Sequence, residues 1–318
     1  MLYQNCKDFS LGTDGVQVVE GVLNEHELVK LREKMWHWLH FKTQHTSKPV
    51  VKNDQTTYKS LFELFPKHGM LFQHWDFGHN PLSWYLRQHP KVIAEFKEIW
   101  KTDELLTSFD GISVSLPCEA TGRGWTRHKE WFHTDQCYKR NGFECAQGLI
   151  NLFDVREGDG TLRVLRGSQA LHAEAQECFK IKSSSDWCLL TPEQKQFYVD
   201  RLDEDADMCV KAPAGSLVLW DSRTIHQGME PQRSRERPNI RCVPYVCMTP
   251  AALATKKQLM KRVEYFEKRR TCNHWPHKIK VFPVTPRTYN KDIMPPRVDK
   301  DTLEVTELMK KLVGYDYL

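Results

Sequence analysis

The chain lacks any apolar run approaching the roughly 18 residues of a membrane span, which excludes a transmembrane protein. Its opening residues, Met1-Leu-Tyr-Gln-Asn-Cys6, show no basic-then-apolar leader, so a cytoplasmic protein is expected. Charge of one sign is not in excess: Lys+Arg 46 against Asp+Glu 41 leaves a formal net charge of +5, far from a nucleic-acid-binding composition. No C-x-x-C pair occurs among the ten cysteines, which scatter from Cys6 to Cys272. That spacing excludes the usual zinc fingers, including one built on Cys242, Cys247 and Cys272. With no secretion signal, the thiols are expected to be reduced and mostly buried. Internal repeats and low-complexity tracts are also missing, which excludes a solenoid.

What remains is a chain of 318 residues with 40% hydrophobic and 27% charged residues, a soluble globular composition long enough for a sizeable core. Residues 15–22 alternate weakly and predict a first strand. Asn24 then starts a helix with Glu27 three residues on, and Leu28, Leu31, Met35 and Trp38 line its apolar face. Residues 41–60 lack periodicity and read as a loop. Residues 61–89 are dense in aromatics and histidines, and Pro90 starts a second helix. From 105 to 250 the pattern becomes short apolar runs broken by Gly, Pro, Asp and Asn, which predicts a mainly antiparallel β core. Strands are expected at 111–116, 130–136, 146–153, 161–165, 208–211, 216–220 and 240–248, with a helix from Thr191-Pro-Glu at 191–202. After Pro250 a basic helix spans about 256–270, read as a solvated face. A proline-bearing tail follows. The whole is expected to be one domain over 1–318: a helical part at 1–104, the β core at 105–250, and a C-terminal helix and tail at 251–318.

Within the β core, Trp131-Phe-His-Thr-Asp-Gln136 carries an imidazole and a carboxylate two residues apart. On a strand such residues share a face, so His133 and Asp135 can grip one ion. His226 follows the strand-like run Ser216-Leu-Val-Leu-Trp220. Two histidines and one carboxylate leave the opposite coordination positions open, the pattern of a non-haem Fe(II) oxygenase. His74-Trp75-Asp76 matches the same short pattern, but Phe-Gly-His-Asn-Pro81 after it is loop-like, so it is expected not to bind metal.

Three further stretches make the pattern specific. Asp159-Gly-Thr-Leu-Arg-Val-Leu-Arg-Gly-Ser-Gln169 follows the His-x-Asp, Pro213-Ala-Gly-Ser-Leu-Val-Leu-Trp-Asp leads into His226, and Arg237-Pro-Asn-Ile-Arg-Cys-Val-Pro-Tyr-Val-Cys247 follows it. This order resembles the phytanoyl-CoA dioxygenase family of Fe(II)/2-oxoglutarate oxygenases over residues 105–250, and Asp14-Gly-Val-Gln-Val-Val-Glu-Gly-Val-Leu23 looks like the family's opening strand. Arg166 and Gln169 stand where the family usually has Pro and His, which bears on the substrate rim.

The resemblance implies a double-stranded β-helix (jelly-roll, cupin-like) core of α+β class with flanking helices. It also implies Fe(II) held by His133, Asp135 and His226, with 2-oxoglutarate as co-substrate, O2 as oxidant and ascorbate as a supporting reductant. The reaction would yield succinate and CO2. Asp135 favours hydroxylation, because halogenating relatives have lost that carboxylate. The distal carboxylate of 2-oxoglutarate needs a fixed cation, and a guanidinium offers paired donors. Counting from the distal histidine gives Arg237, whereas strand placement favours Arg241, which has Tyr245 on its face. Asn151, with Gln147 and Leu149, is expected to face the cavity. Trp131, Gln136 and Arg223 are expected substrate contacts. A small molecule is the expected substrate, with a protein or nucleobase substrate, or a silent binding relative, as alternatives. The sequence specifies neither the substrate nor an oligomeric state.

Overall fold

The computed structural model describes residues 2–65, 71–122, 124, 130–284, 293–297 and 303–318. Strand pairing follows from runs that are apolar on both faces. In the run Leu217-Val-Leu-Trp220, Leu217 and Leu219 pack outward against helices, while Val218 and Trp220 pack inward. A strand buried on both sides reads as a continuous apolar run rather than an alternation. The strands are β1 Leu2–Asn5, β2 Val16–Val19, β3 Leu105–Thr107, β4 Ile112–Ser115, β5 His133–Thr134, β6 Ala146–Ile150, β7 Leu162–Leu165, β8 Cys188–Leu189, β9 Asp207–Lys211, β10 Leu217–Asp221, β11 His226–Gly228 and β12 Arg241–Pro250.

They form two facing sheets. One runs β1-β9-β7-β11-β5-β8, and the other β2-β10-β6-β12-β3, with β4 also on β12. Every pairing is antiparallel except β1 on β9. Strands close in sequence fall in opposite sheets, as β5 and β6 do, which is the double-stranded β-helix expected from the resemblance. Between the sheets lie Val16, Val18, Leu149, Val218, Trp220 and Val243 from one and Leu162, Val164, Met208 and Val210 from the other.

The outer face of the second sheet is covered by helices. Glu25–Lys42 is started by Asn24, whose side chain accepts from Glu27 N while the Glu27 carboxylate accepts from Asn24 N, a reciprocal cap. Its buried face (Leu28, Leu31, Met35, Trp38) packs with Ile150, Leu219 and Val246. Burying each such side chain stabilises the fold by about 1.5–3 kcal/mol. The helices Pro90–Trp100 and Pro192–Val199 start on their prolines as predicted.

Several expectations are corrected. The strand predicted at 130–136 is only His133–Thr134, because the backbone leaves the ladder on both sides. Trp131 N donates to the Gln227 side chain, and Asp135 N donates across to Ser222 O. The supposed loop at 41–60 contains the last helical residue, Lys42, and part of a 3-10 segment, Gln55–Glu63, capped by Asp54. The basic helix Lys256–Glu267 is not wholly a solvated face. Arg262 is fully buried, and its guanidinium donates to the carbonyls of Thr107, Pro276, Leu312 and Val313. The cysteines are free and seven of them are buried. No described helix is long and apolar enough to cross a membrane.

Candidate active site

β5 and β11 lie side by side, and His133 is the register partner of His226. Both histidines are buried, with ring centroids 4.3 Å apart. Asp135, two residues past His133, swings back beside them: its Oδ2 lies 3.3 Å from His226 Nε2 and 3.8 Å from His133 Nε2. One donor atom from each of the three falls within 4.8 Å of the others, the only such group among the described residues. The remaining imidazole nitrogens are committed to backbone: His133 Nδ1 to Trp131 O at 3.1 Å and His226 Nδ1 to Thr224 O at 2.9 Å. A carbonyl accepts only, so each Nδ1 carries the proton and each Nε2 keeps a lone pair for an ion.

Electrostatics agree with this. Burial, and then the charge on His226, push the His133 imidazole down to about 4, so it is neutral at pH 7. Burial pushes the Asp135 carboxyl up, but His274, His133 and His226 outweigh it and hold it far below the usual carboxylate range. Two neutral imidazoles and one carboxylate, pre-oriented through their outer hydrogen bonds, fit a divalent ion that takes nitrogen and oxygen donors.

A support layer holds the ligands, and parts of it have no sequence motif. Gln147 Nε2 on β6 donates to Asp135 Oδ2 at 3.0 Å. Ser222 O accepts from Asp135 N and Thr134 Oγ1, and Ser222 N donates to Cys145 O. Thr224, whose carbonyl holds His226, donates its hydroxyl to Gly15 O at 2.8 Å. Gly15 has φ +71°, and a Cβ there would sit 2.4 Å from that hydroxyl and 2.2 Å from Gln169 Oε1, so only glycine fits. Gln169 itself donates to the carbonyls of Gly12 and Thr13.

Along the inner wall, Arg241 opens β12 and is buried, and its Nε and Nη1 have no hydrogen-bond partner. Unpaired buried donors are costly, and these two are free to meet an acceptor. Tyr245, four residues on, shares the face. Burial raises its phenol, opposed by the adjacent Arg241 guanidinium. Arg241, Val243 and Asn151 line one pocket with Asp159 and Arg235. Arg237 is exposed, two residues past Arg235, whose guanidinium is itself taken by Glu119 and Asp159.

The three expected substrate contacts divide. Trp131 stacks on His133 (centroids 4.8 Å, planes 13° apart) and donates its indole N–H to Gly228 O. Gln136 is different: its amide N–H groups go to Arg140 O and Gly142 O, and its carbonyl accepts from Ser222 Oγ. It closes a turn, with no polar atom spare for a ligand. Arg223 chelates Asp221 and donates to Asn141 O, so it too braces a loop. Sequence reading missed Trp187, half-exposed with its ring 5.7 Å from that of His133. The second His-x-Asp has a different fate. Asp76 is fully buried and ion-paired with buried Lys42 at 2.5 Å, and burial takes the His74 imidazole down to about 4.

Two facing, mainly antiparallel sheets that bring two histidines and a carboxylate together describe a β-helix protein with a candidate metal site. Comparison with known proteins makes this specific: the model of the phytanoyl-CoA dioxygenase (PhyH) family matches residues 11–237. The chain belongs to that family, whose members are non-haem Fe(II)/2-oxoglutarate-dependent oxygenases. It is similar to Ava biosynthesis cluster protein O of Aspergillus versicolor, 32% identical over 207 residues, which are 63% of this chain. The chain spans 65% of the length of that relative. A hypothetical protein from Escherichia coli has a similar structure, with TM-score 0.56 and 13% identity, covering 96% of this chain and 80% of that one. EctD from S. alaskensis, solved with 2-oxoglutarate and 5-hydroxyectoine, aligns with TM-score 0.48 and 12% identity over 76% of this chain and 74% of its own.

Proposed function

We propose that the chain, acting over 1–318 as one oxygenase domain, is an Fe(II)- and 2-oxoglutarate-dependent dioxygenase that hydroxylates a C–H bond of a small molecule and releases succinate and CO2. The observation that carries this reading is the pairing of two features on one inner surface. The cluster of His133, Asp135 and His226 is one, and the buried guanidinium of Arg241, whose Nε and Nη1 are unpaired, is the other. A metal hydrolase would need the first and not the second.

In this reading His133 Nε2, His226 Nε2 and an Asp135 oxygen hold the iron, with Gln147 fixing the carboxylate. Bound Fe(II) with 2-oxoglutarate supplies the oxidising chemistry. The chain's own residues do the rest. Arg241 Nε and Nη1 pair with the distal carboxylate of the co-substrate, and Tyr245 and Asn151 line its path. Trp131 walls the metal and keeps water from one side of it. The retained Asp135 occupies the position a halide would need, which supports hydroxylation. The small-molecule reading is supported by the relative named as a biosynthesis cluster protein. Arg262 and Arg269 of the basic helix region are buried, so part of its charge is spent inside the fold.

The test is an anaerobic titration of the iron-loaded protein with 2-oxoglutarate, followed by aerobic succinate assay. A weak visible charge-transfer band that saturates with 2-oxoglutarate, then slow uncoupled succinate release, is expected. Metal binding with neither signal would overturn the reading.

A further inference from the structure

β8 is the edge of its sheet, and it pairs with β5 so that Leu189 is the register partner of His133 and Cys188 that of Thr134. Side chains alternate across a strand, and the two faces of this edge differ. Cys188 and Leu190 pack with Phe132, Phe197 and Tyr198 on one face. Trp187 and Leu189 turn to the other, the face that carries His133, and are 50% and 51% exposed. The Trp187 ring lies 5.7 Å from the His133 ring, with planes 40° apart. Trp131 stacks on the same imidazole. Two indoles and a leucine thus border one member of the ion cluster.

The exposed pair sits on fastened backbone. Asp186, just before Trp187, accepts from Cys137 N and pairs with Arg140. Just after Leu189, Leu190 N donates to Phe132 O at 2.9 Å. Apolar side chains exposed singly are ordinary. Here two on one strand face lie against a buried imidazole, so the apolar surface continues into the candidate active site. The nearest charges along β5 and β8 are committed: Asp186 to Arg140, and Glu130 to Arg163 and Lys195. Such a surface recognises the face of a ring rather than a charge.

We propose that Trp187, with Leu189, seats the substrate, an uncharged small molecule whose aromatic ring lies on the Trp187 indole beside His133. This deepens the oxygenase reading above and rests on it. It assigns selection of the substrate class to the β8 edge, apart from the residues that hold the ion and the co-substrate.

Ligand-observed NMR on the full-length protein tests it, with 2-naphthol as the aromatic probe and tetramethylammonium as a cation that also favours aromatic faces. Saturation transfer to 2-naphthol should occur in metal-free protein, and loading with Mn(II) should broaden the signals of the bound probe. Trp187→Ala should weaken 2-naphthol about fivefold, the scale of one ring–ring contact, and Trp187→Phe should recover most of the loss. Mn(II) affinity should stay within twofold in both variants. Unchanged 2-naphthol affinity in Trp187→Ala overturns the proposal, as does binding that Mn(II) does not broaden, or a preference for tetramethylammonium. Dimerisation of the native protein that Trp187→Ala abolishes, read by sedimentation, would assign the face to a second copy across the β8 edge and overturn it too. Failure to bind Mn(II) at all would sink the oxygenase reading, while saturation transfer in metal-free protein would still decide whether Trp187 holds the ring.

Discussion

His133 and His226 are register partners across the β5–β11 ladder, and both turn Nε2 toward the Asp135 carboxylate. The metal-binding face is thus made by strand pairing itself. His133→Ala and His226→Ala should abolish high-affinity Mn(II) binding, and Asp135→Gly should retain some binding but lose hydroxylation. His74→Ala should leave Mn(II) affinity unchanged while lowering the melting temperature, since it empties a buried site. Mn(II) titration with thermal denaturation separates the two His-x-Asp pairs. Loss of metal in His74→Ala with retention in His133→Ala would reverse the assignment.

Gln147 should matter through Asp135 alone. Removing a partner that orients a ligand typically costs tenfold to a hundredfold in metal affinity. Gln147→Leu should therefore weaken Mn(II) by about that factor, and Gln147→Glu by more, because it places like charges together. If Gln147→Leu binds as tightly as native protein, the 3.0 Å contact has no functional weight.

The two arginines should separate sharply. Breaking a buried carboxylate–guanidinium pair costs about 2–5 kcal/mol, on the order of thirtyfold or more in affinity. Arg241→Ala should raise the Kd for 2-oxoglutarate by that much, and lysine should restore only part because it lacks the paired donors. Arg237→Ala, at an exposed position, should cost less than about 1 kcal/mol. The opposite ranking would place the anchor at Arg237 and leave the ion site as described.

Acid sensitivity of the metal-free protein follows from buried neutral imidazoles outside the site. Burial takes His74, His172 and His277 down to about 4. Between about 6.5 and 4 the unfolded chain binds protons that the folded chain refuses. Stability is therefore full above 6.5, falls as pH drops through this window, and has lost these contributions near 4. Each histidine contributes on the order of 1 kcal/mol per pH unit within it. Urea unfolding at pH 7.5, 6 and 5 should show the fall. His172→Phe, which keeps a ring against Tyr138, should flatten it in part, because His79 and His133 are also held down by burial. A pH-independent midpoint would contradict the assignment.

The ion site was legible because its motif is local: a two-residue spacing puts His133 and Asp135 on one side, and an apolar run ending in a turn delivers His226. The burial of Arg241 on a strand and the exposure of Arg237 were legible through strand alternation and the charged run before Pro238. Gln136 and Arg223 are committed to backbone carbonyls, Ser222 and Asp221, and a polar side chain near a motif looks the same in sequence whether it braces or binds. Arg262 was misread because four carbonyls from distant segments converge on it. Ser222 carries no motif, and reaches the site through a loop crossing.

β5 is two residues long, and that brevity has a kinetic consequence. Few backbone bonds guard 131–136, so this segment is among the first to open in native-state fluctuations. A divalent ion joining residues 133, 135 and 226 would act as a clasp across the β5–β11 seam, converting a weakly latched ribbon into one whose opening requires dissociation of the ion. Deuterium uptake would then slow on Mn(II) addition in 131–136 and 222–228, with little change in Glu25–Lys42. Uniform slowing along the chain would mean that the ion steadies the whole fold rather than this seam.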